Sequence, residues 1–186
     1  RGVPLHRFSA PEEGVVPPEG AGGAWARQLR YGFFERLCRE HGAKLATAHT
    51  KNEQAETLLL HLARGCGPAG AAGIPAVRGA VIRPFLTVSR RQTEAYCRAL
   101  GQPWVMDETN AADNYARNRV RRYALPALET VNPQAVEALA RFCDRMALVD
   151  GYLAAQADTL LETAKQGSGW RLSTLNEAHP AVRDEA

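Results

Sequence analysis

The stretch Lys44-Leu45-Ala46-Thr47-Ala48-His49, running without a break into Thr50-Lys51-Asn52-Glu53-Gln54-Ala55-Glu56-Thr57-Leu58-Leu59, sets the fold class. The first six residues are mostly apolar and pass at once into helical sequence, which predicts a buried strand over 44–49, with a helix start as the other reading of so short a run. The following residues place Ala55, Leu58, Leu59 and Leu62 on one side, which predicts a helix over 52–64. A strand that passes at once into a helix is half of a parallel crossover unit.

Upstream, Trp25, Leu29, Phe33 and Leu37 recur every four residues and predict an amphipathic helix over 24–41, stopped at Gly42. A weak alternation over 3–8 predicts a short strand, closed by a Gly/Pro-rich stretch over 11–23. Strand, helix, strand and helix in the first 65 residues predict an α/β domain with a parallel sheet. Downstream, Gly65, Gly67, Gly70 and Gly73 with Pro68 and Pro75 predict a flexible connector without regular structure. Residues 80–86 read as another strand, and Ser89 with Gln92 has capping-box spacing at the start of a helix ending at Gly101. The segment 103–115 is polar and turn-rich. An arginine-rich helix begins near Asn118, with Pro126 kinking or ending it. Asn132-Pro133 starts a long helix to about residue 165, marked by Val136, Leu139, Cys143, Met146, Leu153, Ala157 and Leu160. Gly167-Ser168-Gly169 breaks it, and 170–173 reads as the start of a strand.

Composition narrows the function classes. The 186 residues are 45% apolar and 23% charged, a globular balance, with no apolar run long enough to span a membrane. The four cysteines are widely spaced with no CxxC pair, which argues against a disulfide scaffold, a zinc ribbon and a cysteine-ligated cluster, and points to a reducing, cytoplasmic compartment. The formal charge is +3, carried by 20 Arg and only three Lys, and Arg suits phosphate and carboxylate. Opening on Arg1 and stopping at Ala186 in a helix-forming run predict a segment of a longer protein.

Two groups of residues have chemical potential. His49 lies at the carboxyl end of its predicted strand, where open α/β sheets bind ligands, and Glu53 and Glu56 share a helix face just beyond. Two carboxylates and an imidazole suit a cationic substrate or a proton transfer. Thr50 and Glu53 equally have the spacing of a helix cap. The second group is Arg117, Arg119, Arg121 and Arg122 around Asn118, dense enough for an anion site and also readable as a solvated basic face. Arg27 and Arg30 carry the same two readings. The glycine loop lacks a trailing Lys-Ser/Thr and is not a nucleotide P-loop. His61 is expected on the solvent side of its helix.

Taken in order, several motifs carry a resemblance: Ala26-Arg27-x-x-Arg30-Tyr31-x-Phe33-Phe34, Ala48-His49-x-x-x-Glu53-Gln54-Ala55-Glu56-Thr57-Leu58-Leu59, Arg64-Gly65, and Ile82-Arg83-Pro84-Phe85-Leu86. Pro103-Trp104-Val105-x-Asp107-x-x-Asn110, Arg117-Asn118-x-x-Arg121 and Leu125-Pro126 continue it. The series resembles the tRNA(Ile)-lysidine synthetase family of the PP-loop (N-type ATP pyrophosphatase) superfamily, from Val3 to about Pro133. The resemblance implies an adenine-nucleotide alpha-hydrolase-like (PP-loop) domain over 1–131, a helical linker over 132–168 and the start of a further tRNA-binding domain over 169–186. It implies a carbon–nitrogen ligase that uses ATP with Mg2+ to adenylate the wobble cytidine of tRNA(Ile) with a CAU anticodon. Free L-lysine then displaces AMP to give lysidine. Roughly one lysine amine in 10³ is neutral at pH 7, so a carboxylate that holds the ammonium and takes its proton answers a chemical need. By resemblance Glu53, Glu56 and His49 are the catalytic residues. Arg117, Asn118, Arg121, Arg27 and Arg30 bind phosphate or the substrate carboxylate, and no metal ligand is assigned to this chain.

The sequence departs from that family in three places. Thr50 stands where a second histidine is usual, and Glu53 where Asp is usual. The nucleotide loop Ser-Gly-Gly-x-Asp-Ser and the His-x-x-His-Gly-Leu-Arg segment after it are not in these 186 residues. The chain by itself is therefore expected to be inactive, with a domain incomplete at its start. A non-catalytic tRNA- or phosphate-binding remnant is the alternative, and a tRNA-thiolating PP-loop enzyme ranks behind both because paired cysteines are missing.

Overall fold

In a computed structural model, residues 2–20, 22–105 and 116–185 are described. In chain order the elements are α1 Gly23–His41, β1 Leu45–Ala46, α2 Lys51–Arg64, α3 Pro68–Ala71, β2 Val77–Arg78, β3 Val81–Ile82 and α4 Arg90–Ala99. Then come α5 Ala116–Arg119, a π-helical turn Val120–Ala124, α6 Leu125–Val131, α7 Ala135–Ala164, β4 Lys165–Gln166, β5 Gly169–Trp170, α8 Leu172–Glu177 and α9 Pro180–Arg183. No described helix is long and apolar enough to cross a membrane. The chain divides into two compact units, Arg1–Thr47 with Val77–Arg83, and Ala48–Ala76 with Pro84–Ala186.

The first unit holds α1 and a three-stranded sheet in the order β1-β3-β2. The parallel pairing expected of the sheet is present between β1 and β3, with Leu45 opposite Val81 and Ala46 opposite Ile82. β2 joins antiparallel through a tight turn at Gly79, whose φ is +57°. The sheet is thus mixed, and its strands are shorter than the 44–49 and 80–86 expected from sequence. α1 ends as expected, with Gly42 left-handed and its N–H bonded to the Cys38 carbonyl. None of its residues is fully buried. Phe8 stacks against Phe33 at 5.3 Å between ring centres. The strand expected over 3–8 does not form. Val3 and Leu5 are exposed, and without a partner strand two apolar residues cannot fix an extended segment.

The second unit is helical and contains the core. α2 lies against α3, α6 and α7: Ala55 packs with Leu125 and Val136, and Leu58 packs with Ala71 and Cys143. Complete burial of Leu58 contributes about 1.5–3 kcal/mol. Leu62, counted with that apolar face, is in fact half exposed. Both predicted capping boxes are present, Thr50 with Glu53 and Ser89 with Gln92. The two helix starts are knitted together, Lys51 N–H donating to the Val88 carbonyl at 2.9 Å and Arg90 N–H to Asn52 Oδ1 at 2.8 Å.

Four local expectations change. The glycine loop after α2 is no flexible connector: it forms α3, buries Ala71, and is clamped by Gln54. That side chain accepts from Ile74 N–H at 2.7 Å and donates to the carbonyls of Ala72 and Ile74, each at 3.3 Å. His61 turns inward enough to place Nδ1 2.6 Å from the Gly70 carbonyl oxygen. Pro126 does not end its helix. The wider π turn before it, where Leu125 N–H reaches the Val120 carbonyl, accommodates the proline ring and lets the helix continue to Val131. Finally, α7 starts at Ala135 with Asn132 Oδ1 accepting from Gln134 N–H, and beyond it a β4–β5 hairpin is followed by α8 and α9, which pack on α7. The turn-rich segment 103–115 lies outside the described residues from 106 onward.

Candidate functional site

The site grows out of the first two turns of α2. Thr50 caps the helix, and Glu53 Oε2 accepts from the Thr50 backbone N–H at 2.8 Å and from its hydroxyl at 3.2 Å. Glu53 therefore spends its carboxylate on the helix end, where an anion also meets the positive pole of the helix. One turn later Glu56 is fully buried. A buried carboxylate needs charged partners, and two arrive from far along the chain, Arg117 and Arg121. Arg121 forks onto it, Nε to Oε1 at 2.7 Å and Nη2 to Oε2 at 3.0 Å. Arg117 places Nε 3.7 Å from Oε2 and donates from Nη2 to the Thr57 hydroxyl at 2.6 Å. The Arg121 guanidinium holds its proton more strongly than usual, chiefly because of its hydrogen bond to Glu56.

Glu56, Arg117 and Arg121 are thus brought together, with the buried Asn118 between the two arginines in sequence. Two guanidiniums face the one buried carboxylate, with Glu53 also acting electrostatically on Arg121, and 41% of the Arg117 side chain is exposed. His49 is half-buried and engaged in contacts of its own, one residue ahead of the Thr50 cap. Arg27 and Arg30 belong to the first unit, both exposed, with Arg27 over the Tyr31 ring at 4.7 Å. Arg119 and Arg122 point to solvent, the latter lying over the Tyr123 ring at 5.5 Å.

Sequence reasoning missed two residues here. Thr57 holds Arg117, and Gln54 organises the loop after α2; the partners lie 60 and 20 residues away, so no local pattern marks either contact. On the Gln54 side of α2 the helical unit has a cleft of about 710 Å³, lined by Lys51, Gln54, Gly73, Arg141 and Asp144 among others.

The fit of a nucleotide and its metal can be judged from the same geometry. In the glycine-rich loop over 65–73, Gly70 and Gly73 make room for protein atoms, while Gly65 and Gly67 face open space. A Cβ at Gly70 would lie 2.6 Å from Cys66 Cβ, and one at Gly73 would lie 2.8 Å from Gln54 Oε1 and 3.2 Å from Cys143 Sγ. The Gly70–Gly73 part of that loop, filled by protein side chains, does not fit a phosphate cradle. No group of three or more His, Cys, Asp or Glu among the described residues is placed to hold a metal ion.

Comparison with known proteins agrees with the motif order. Residues 21–128 match the family profile described as the PP-loop domain. A tRNA(Ile)-lysidine synthase of Salinispora tropica is 46% identical over 172 residues, which is 88% of this chain and 51% of that protein. One from Thermus thermophilus is 42% identical over 166 residues, 88% of this chain and 32% of the relative. Another from Symbiobacterium thermophilum is 41% identical over 163 residues, 84% and 33% respectively. The chain spans between about a third and half of the length of these curated relatives. With a profile match across more than half of its residues, the chain belongs to the PP-loop domain family.

Proposed function

We propose that this chain contributes the lysine-handling part of a tRNA-modifying ligase. The reaction is ATP-dependent adenylation of the wobble cytidine of tRNA(Ile) with a CAU anticodon, with release of pyrophosphate. The side-chain amine of free lysine then attacks, AMP leaves, and lysidine is formed. The observation that carries this reading is the Glu56–Arg121–Arg117 cluster, two cations and one anion set in the family's own motifs. An amino acid brings the complementary set, a carboxylate for the arginines and an ammonium for the carboxylate. Because both Glu56 oxygens are engaged by arginine, the incoming carboxylate has to take over part of that guanidinium surface before Glu56 can receive the ammonium. Glu53 supports the site through the helix end, and His49 lies next to that end in sequence. Arg119 and Arg122, exposed on the same helical segment, suit contacts to tRNA phosphate. Asn118 belongs with Arg117 and Arg121, and Arg27 and Arg30, in the first unit, are read separately as phosphate- or carboxylate-binding residues. ATP and Mg2+ belong to the reaction through the family's nucleotide loop, which these 186 residues do not include. The domain reading stays as 1–131, 132–168 and 169–186, and the compartment is the cytoplasm, where tRNA is modified.

The test is transfer of labelled lysine to tRNA(Ile) by the full-length protein with ATP, beside Arg121→Lys. Label in the tRNA with the parent, and its loss with a lysine that cannot fork onto Glu56, supports the reading. A parent that binds tRNA and transfers no lysine supports instead the non-catalytic tRNA-binding alternative.

A further inference from the structure

We propose that Thr57 is a positioning residue that aims the Arg117 guanidinium at a substrate oxyanion, either a carboxylate or a phosphate. This rests on the function proposed above. Thr57 follows Glu56 on α2 and is itself buried. A β-branched residue inside a helix has few rotamers, so its hydroxyl is an acceptor at a fixed place. It accepts from Arg117 Nη2 at 2.6 Å, a short charge-assisted bond. Arg117 Nε, also buried, makes no hydrogen bond and faces Glu56 Oε2 at 3.7 Å. A guanidinium is planar, so an anchor at Nη2 and a charge beside Nε set its orientation as well as its place. Nη1 carries no described hydrogen bond, and the side chain is 41% exposed. The plane held by Thr57 thus offers its remaining donors outward, where an oxyanion can be received without first reorganising the arginine. Arg121 has no such freedom, because its fork is closed on Glu56.

Thr57→Val keeps the shape and removes the acceptor, and Thr57→Ser keeps the acceptor and removes a methyl. Nitrogen-resolved NMR of the arginine side chains in the 186-residue chain reads the positioning directly, with circular dichroism as the control for folding. The expected result is hindered guanidinium rotation at Arg117 in the parent and in Thr57→Ser, and free rotation in Thr57→Val. Unchanged, hindered signals in Thr57→Val overturn the proposal. In the full-length protein, Thr57→Val should raise a KM about tenfold with kcat changed by less than about twofold, and Thr57→Ser should restore it. A rise in the KM for lysine identifies the carboxylate as the oxyanion, and a rise in the KM for tRNA identifies the phosphate. A fall in kcat with both KM values unchanged, or an equal loss in the serine variant, also overturns it. If the parent forms no lysidine, the proposed function fails, while the NMR arm still decides whether Thr57 orients Arg117.

Discussion

At the scale of single residues, two buried groups make opposite demands on their surroundings. Glu56 is charged and tolerated because two guanidiniums neutralise it. Glu56→Gln leaves those cations facing a neutral amide. Removing one partner of a buried pair costs about 3–5 kcal/mol, and since both arginines are partly exposed the lower end, about 3 kcal/mol, is expected in urea denaturation. A change below about 0.5 kcal/mol would mean that the arginines find other partners. Cys143 is the converse case, a thiol with no exposed surface, and burial pushes its pKa from 9.0 up to about 11. The folded value lies above the unfolded one, so the stability it confers is complete below about pH 9 and is lost as the pH rises through about 11. The full effect is about 3 kcal/mol. Stability measured from pH 8 to 11 should therefore fall more steeply for the parent than for Cys143→Ala, and parallel curves would contradict this. Within the same experiment, a thiol reagent at neutral pH should label exposed Cys66 and leave Cys143 untouched until the chain unfolds.

At the scale of elements, the loop after α2 decides how that helix meets α7. Gly73 has a φ of +73°, and a Cβ there would press on the Gln54 amide. Gly73→Ala is therefore expected to cost about 1–3 kcal/mol, combining left-handed strain with displacement of the clamp. Amide exchange separates the two causes. Ile74 N–H, bonded to Gln54 Oε1, should exchange much faster in Gln54→Ala, while amides in the middle of α2 stay protected. Unchanged protection at Ile74 would show that the loop is held by α3 packing alone. The π turn belongs to this scale too. Pro126 made an end or a kink equally plausible in sequence, and the wider turn resolved it by rerouting one hydrogen bond rather than breaking the helix.

At the scale of the molecule, the two units differ in what holds them. The helical unit has two buried clusters joined through Leu139, whereas α1 in the first unit has no fully buried residue. Stability follows buried apolar area, so native-state hydrogen exchange should be slowest in α2 and in the first half of α7 and markedly faster along α1. Equal protection in α1 would mean that the unit has a source of stability other than its visible core.

The helices and their ends were legible in the sequence because they are set by neighbours within four residues. The period of Trp25, Leu29 and Phe33, the left-handed Gly42, and the Thr50–Glu53 and Ser89–Gln92 boxes are all local rules, and the structure contains each. The motif order likewise singled out Glu56, Arg117 and Arg121, though as two separate groups. Tertiary structure alone decided the rest. Only packing could show that Glu56 is sealed under two arginines. Only long-range hydrogen bonds could turn a glycine-rich run into the ordered α3 loop or give Thr57 its arginine. The short strands followed the same logic, since a ladder exists only where a second strand lies alongside: residues 3–8 lacked one, and Leu45–Ala46 found Val81–Ile82. Local sequence determines dihedral preference and periodicity, but a charge or an unpaired backbone group is satisfied in space, by residues whose distance along the chain carries no signal.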